Sequence, residues 1–173
     1  MPCKFALTGV PTEAGRARSS RYTELRTQMT QFKILSIRPR APMAITFHAH
    51  VLDISEEDSV TRVILSVDDT LEAERYLMTQ RKHAFSEEDV RFGMNDVYIE
   101  TCGQGWSWYG HIDAFDLFDN RVRVQLDAEA AHRIGDDGVI EVSFDLTGDE
   151  RAALRAALRT TFAGQKCYAD WVV

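Results

Sequence analysis

The run Gly105-Trp106-Ser107-Trp108-Tyr109-Gly110 comes within one position of the nucleophile elbow G-x-S-x-G, where a strained strand-to-helix turn exposes a serine. Tyr109 holds the place of the second glycine, and Gly110 arrives one residue late. The residues that follow alternate as a strand instead of opening a helix, so Ser107 is read as a strand residue and not as a nucleophile. Gly103-x-Gly105 lacks a third glycine in register and a helix N-terminus to hold a pyrophosphate, so it is a turn and not a dinucleotide fingerprint. His48 and His50 stand at i, i+2 on an expected strand, which lets both imidazoles face one side as metal ligands do. His83, His111, Asp53 or Glu100 could complete such a site, but no spacing selects one, and a polar strand face accounts for the pair equally well. Arg151, Arg155 and Arg159 line one side of an expected helix. Such a stripe can bind phosphate, but it also reads as a solvated face bridging to nearby carboxylates.

The remaining constellation is aromatic. Trp106 and Trp108 share one face of a strand and Ser107 and Tyr109 the other, so an aromatic side chain projects from both. Tryptophan is usually a core residue, whereas Trp, Tyr and Arg are the commonest anchors of protein interfaces. The candidate partner-binding residues are therefore Trp106, Trp108 and Tyr109, with Glu100 and Gln104 as polar neighbours. No combination of nucleophile, base and oxyanion donor falls in register, so no catalytic set is assigned.

The elements that must position these residues are mostly strands. Alternation predicts strands over residues 32–37, 43–54, 60–67, 75–81, 96–102, 121–126 and 139–146, and a strand from Trp106 that continues through Ile112, Phe115 and Leu117. Polar turns are expected at residues 55–58, 68–70 and 119–120, and a glycine reversal at 103–105. A short helix is expected over 85–93, with Ser86 as cap, Asp89 at N3 and a staple of Phe85 on Val90. Another is expected over 127–134. The C-terminal helix opens on the capping box Thr147-Gly148-Asp149-Glu150. It places Leu154, Ala157, Leu158, Thr161 and Phe162 on one face, and Gly164 stops it. Residues 168–173 receive no assignment. Strand follows strand through short turns, which predicts an α+β fold: a mainly antiparallel twisted sheet with a C-terminal amphipathic helix and one or two short helices. Residues 1–31 have neither periodicity and are expected to be a mobile tail, leaving a single domain over 32–173.

At 173 residues the chain can bury one sizeable core. No apolar run approaches the roughly eighteen residues of a membrane span, and Phe5 to Val10 is too short for a signal-peptide core. Cys3, Cys102 and Cys167 form no C-x-x-C pair, which fits a reducing compartment without disulfides or a zinc clip. A cytoplasmic protein without cofactor is the expectation. Five basic and two acidic side chains give residues 1–28 a charge of +3, so the rest of the chain carries −10 of the total −7. Such a surface repels nucleic acid and favours a basic partner.

Several strings together resemble a family. Tyr76-Leu77-Met78-Thr79-Gln80-Arg81, then Phe85-x-x-x-Asp89-Val90-x-x-Gly93-Met94, Val97-Tyr98-Ile99-Glu100, Gly103-Gln104 and Tyr109-Gly110-x-Ile112 are similar to the tenth numbered immunity-protein family of bacterial polymorphic toxin systems. Phe144-Asp145-Leu146 before a capped helix with Leu154, Leu158 and Phe162 fits it too, and the likeness covers about residues 43–164. The resemblance implies an antitoxin-like, non-enzymatic cytoplasmic protein that binds and neutralises a cognate toxin domain passed between competing bacteria; a monomer or homodimer is the separate expectation. It carries no catalytic set. The other readings are a metal-dependent enzyme built on His48 and His50, and an adaptor module using the aromatic hairpin.

Overall fold

The computed structural model describes residues 44–69, 75–102, 106–134 and 137–172. The expected tail at 1–31, the expected strand at 32–37, and Gln104 lie outside the described residues.

In place of one sheet there are two of five strands each, mostly antiparallel, with three helices among the described residues. The first has the order β1-β9-β8-β7-β10 and the second β2-β3-β4-β5-β6. The first is built from β1 (Ile45–Ala49), β7 (Ile112–Leu117), β8 (Arg121–Leu126), β9 (Val139–Phe144) and β10 (Tyr168–Asp170). The second is built from β2 (Val51–Glu57), β3 (Val60–Ser66), β4 (Tyr76–Lys82), β5 (Tyr98–Thr101) and β6 (Ser107–Tyr109). Two pairs are parallel, β1 with β9 and β10 with β7. The helices are α1 (Glu87–Arg91), α2 (Ala128–Ile134) and α3 (Gly148–Thr161).

Two expected strands each break into two, and the breaks join the sheets. The strand expected over 43–54 stops at Ala49 and resumes at Val51, in the other sheet. Phe47 and Ala49 point into the core on odd positions, whereas Leu52 and Ile54 do so on even positions. A flat strand cannot serve one core with both parities, so the backbone must turn at His50. The strand expected from Trp106 onward breaks in the same way. Trp108 faces the core on an even position and Phe115 and Leu117 on odd ones. The change of phase is absorbed by Gly110 and His111, at φ +75° and +59°, and by an irregularity between Ile112 and Ala114. A Cβ on Gly110 would lie 2.9 Å from the Asp96 carboxylate, so both the angle and the space call for glycine.

The turn expected at 55–58 is shorter than expected and lies further on. β2 runs to Glu57, and Asp58 and Ser59 reverse the chain with both φ positive, the geometry of a two-residue hairpin. The unassigned C-terminal segment supplies β10, whose backbone is held by Phe115 N–H donating to Cys167 O and Trp171 N–H to Leu117 O.

The inward side chains meet in register. Phe47 lies beside Val142, which faces Val122, which faces Leu117. In the second sheet Leu65 faces Leu77, and Ile99 faces Trp108. One continuous core contains both sets. α3 lies against β2, β3 and β4, and its capping Phe162 brings its ring 4.6 Å from that of Phe115 in β7. Leu154, Ala157, Leu158, Thr161 and Phe162 are buried, as the helical spacing predicts. Both expected capping boxes form: Ser86 with Asp89, and Thr147 with Glu150. The expected staple residue Val90 is more than half exposed, and Phe85 lies under the Arg81 guanidinium instead, 5.3 Å away. Arg81 also donates to the Ala163 carbonyl at 2.7 Å, just past the end of α3, where the helix leaves acceptors without an internal partner.

Candidate functional site

Strand register decides which side chains stand together on the face of the second sheet opposite the core. β4 sets Gln80 against Tyr98 and Met78 against Glu100. β6 sets Tyr109 against Tyr98 and Ser107 against Glu100. Alternation then gathers Tyr76, Met78, Gln80, Tyr98, Glu100, Ser107 and Tyr109 on one surface. Their odd-numbered neighbours Leu77, Thr79, Ile99 and Thr101, with Trp108 of β6, fill the core.

Glu100 is the centre of that surface. The Tyr76 hydroxyl donates to Oε1 and the Tyr98 hydroxyl to Oε2. The residue is 8% exposed although it points away from the core. The rings of Tyr98 and Tyr109 lie 5.1 Å apart, tilted by 60°. Burial pushes the Tyr98 phenol up, the hydrogen bond to Glu100 pushes it the same way, and a hydrogen bond with Ser107 pulls partly back. The phenol therefore remains a proton donor to the carboxylate at neutral pH. Tyr109 is the most open member, 36% exposed. Lys82, further along the same face of β4, is held at 2.7 Å by Asp89 of α1. That hydrogen bond pushes the lysine up, and with the Ser86 cap it holds Asp89 down at about 2.

The structure thus brings together Glu100 and Tyr109 from the candidates selected in the sequence. Trp108 lies on the opposite face, buried against Ile99, and Trp106 is half-buried against the core. Tyr76 and Tyr98 were missed as site residues. Tyr98 shares parity with Glu100 and could have been found by alternation, whereas Tyr76 joins them through strand pairing that no local pattern encodes.

The other constellations resolve into structural contacts. Ser107 lies in a three-residue strand followed by the crossing at Gly110, not by a helix. His48 and His50 do come together, with ring centroids 4.9 Å apart. His48 Nδ1 is 3.0 Å from the Ser143 hydroxyl and Nε2 3.7 Å from Asp145. Among the described residues no three His, Cys, Asp or Glu side chains gather closely enough to hold a metal ion. Arg155 and Arg159 both bond Asp170, at 2.7 and 2.8 Å, so their helical stripe bridges to a carboxylate. Burial pushes the Asp170 carboxyl up, but the Arg155 hydrogen bond, the Val172 N–H and both guanidinium charges outweigh it and hold it low. His111 Nδ1 lies 2.8 Å from Asp127, whose other oxygen accepts the Glu129 and Ala130 N–H groups at the start of α2.

The face carries three tyrosine side chains and one carboxylate, with two of the hydroxyls on that carboxylate and the third ring beside Tyr98. No helix among the described residues is long and apolar enough to cross a membrane. In comparisons with known proteins, residues 46–152 match the family described as Immunity protein 10. No curated protein matches the chain.

Proposed function

The chain belongs to the Immunity protein 10 family, and we propose that it binds a cognate toxin domain and neutralises it by occupancy, one molecule to one, without turnover. The toxin is a basic domain exchanged between competing bacteria, and neutralisation takes place in the cytoplasm. The contact surface is the outer face of β4, β5 and β6, with Tyr109 as its exposed anchor.

The observation that carries this reading is the placement of Tyr109. It projects from an edge strand beside Tyr98 while its neighbour Trp108 is committed to the core. Tyrosine supplies large contact area at low entropic cost, which is why it recurs at interface hot spots. The acidic balance of the chain supports a basic partner, since opposite charge raises the association rate.

The test uses the toxin domain encoded beside this gene. Protection of cells, and inhibition in solution, should rise with the protein and saturate near one molecule per toxin. Tyr109→Ala should weaken binding by at least about 2 kcal/mol and leave the melting temperature nearly unchanged. Protection by far less than one equivalent would point to catalysis. Normal binding by Tyr109→Ala would move the interface elsewhere.

A further inference from the structure

We propose that Glu100, Tyr98 and Tyr109 form a socket for a single arginine side chain of the partner protein. This rests on the immunity reading and adds the chemistry by which the partner is recognised.

Glu100 is a carboxylate that is more than nine-tenths buried on the face of a sheet directed away from the core. Burial of a charge is costly unless an opposite charge compensates it. Among the described residues no cation does so. Lys82 is taken by Asp89 at 2.7 Å, and Arg62 stands in β3, two strands away from β5. The hydrogen bonds that Glu100 does accept come from two neutral phenols, one at each oxygen. A carboxylate offers about four acceptor positions, so each oxygen keeps capacity for another donor.

The surroundings select the kind of donor. Tyr98 reaches the carboxylate through its hydroxyl, its ring lies 5.1 Å from that of Tyr109 on the neighbouring strand, and Tyr109 is open to solvent. A cation over a tyrosine ring is attracted by the ring quadrupole. Arginine suits such a place better than lysine, because its planar fork spans both oxygens of a carboxylate, stacks on aromatic faces and loses less hydration. The Tyr76 and Tyr98 hydroxyls meanwhile hold the carboxylate in one orientation before the partner arrives.

The experiment uses the full chain with two probes, N-acetyl-arginine amide and its uncharged counterpart N-acetyl-citrulline amide. The tyrosine ring resonances are followed by NMR. The arginine amide should shift the Tyr98 and Tyr109 rings at millimolar concentration, the citrulline amide should not, and Glu100→Gln should abolish the shift while keeping the fold's spectrum. No shift, an equal shift with citrulline, or a shift retained in Glu100→Gln would overturn the socket. The neighbouring toxin domain is then bound to the same two proteins. Loss of at least about 30-fold in affinity for Glu100→Gln supports the socket. Equal binding by both overturns it while the immunity reading stands. If the toxin fails to bind even the wild type, the immunity reading falls, and the ring shifts still decide the socket.

Discussion

Glu100 and Trp108 sit on neighbouring strands and face opposite sides of one sheet, and their substitution should separate binding from stability. Trp108→Ala removes a ring that is 7% exposed in the core and should cost about 3–5 kcal/mol of unfolding free energy. Glu100→Gln keeps the shape and removes a buried charge without a counter-charge, so its melting temperature should equal or exceed the wild type's. A marked loss of stability in Glu100→Gln would mean the carboxylate is structural. Asp89 makes a pH prediction. Its carboxyl titrates at about 2 in the fold against an ordinary 3.8, because Lys82 and the Ser86 cap favour the ionised form. A depressed value stabilises the fold above the unfolded value, and that contribution fades as the pH falls through the folded one. Asp89→Asn should therefore melt below the wild type at neutral pH, and the gap should close between about pH 4 and pH 2. A gap that stays constant across thermal melts in that window would exclude the ion pair and cap as its source.

At the scale of elements, α3 ties the two sheets and the C-terminal strand together. Leu158→Ala should cost about 2–5 kcal/mol, since the side chain is 1% exposed. The helix's arginine stripe is not uniform. Arg155 bonds Asp170 at 2.7 Å and the Val172 carbonyl at 3.1 Å, whereas the Arg151 guanidinium bonds no group among the described residues. A solvated stripe would make both substitutions cheap. With these contacts, Arg155→Ala should cost about 1–3 kcal/mol and Arg151→Ala under about 1 kcal/mol, measured by urea unfolding. Equal costs would show that β10 is held by its backbone pairing with β7 and not by the arginine clamp.

For the whole molecule, charge and chain extent are what matter. A chain starting at Met29 should melt within a few degrees of the full one, because residues 1–28 carry no periodic apolar face to bury. A large drop would place them in the folded unit. Acidic side chains such as Glu87 and Glu88 on α1 are exposed and stand outside the aromatic face. Their replacement by Gln should slow association with a basic toxin, more at low salt than at high, and leave dissociation unchanged. An effect on dissociation alone would place α1 inside the interface.

The sequence alone determined several elements whose signal is local, although the local signals for a Phe85–Val90 staple and for a turn at 55–58 did not hold as read. The capping boxes at Ser86 and Thr147, the apolar stripe of α3, and the alternation of β8 and β9 depend on residues within a few positions of one another. The α+β class followed from counting such segments. Alternation also placed Tyr109 opposite Trp108. Tertiary structure decided how many sheets those strands make and where the chain passes between them. The turns at His50 and at Gly110 and His111 lie inside stretches that read as continuous strands, and only the passage from one sheet to the other around their shared core reveals the change of phase. The short β10, with half-buried and mixed residues, is a strand because β7 offers it an open edge. The tyrosines around Glu100 are a site for the same reason. Tyr76 and Tyr98 stand 22 positions apart in the chain, and strand pairing alone sets both hydroxyls on one carboxylate.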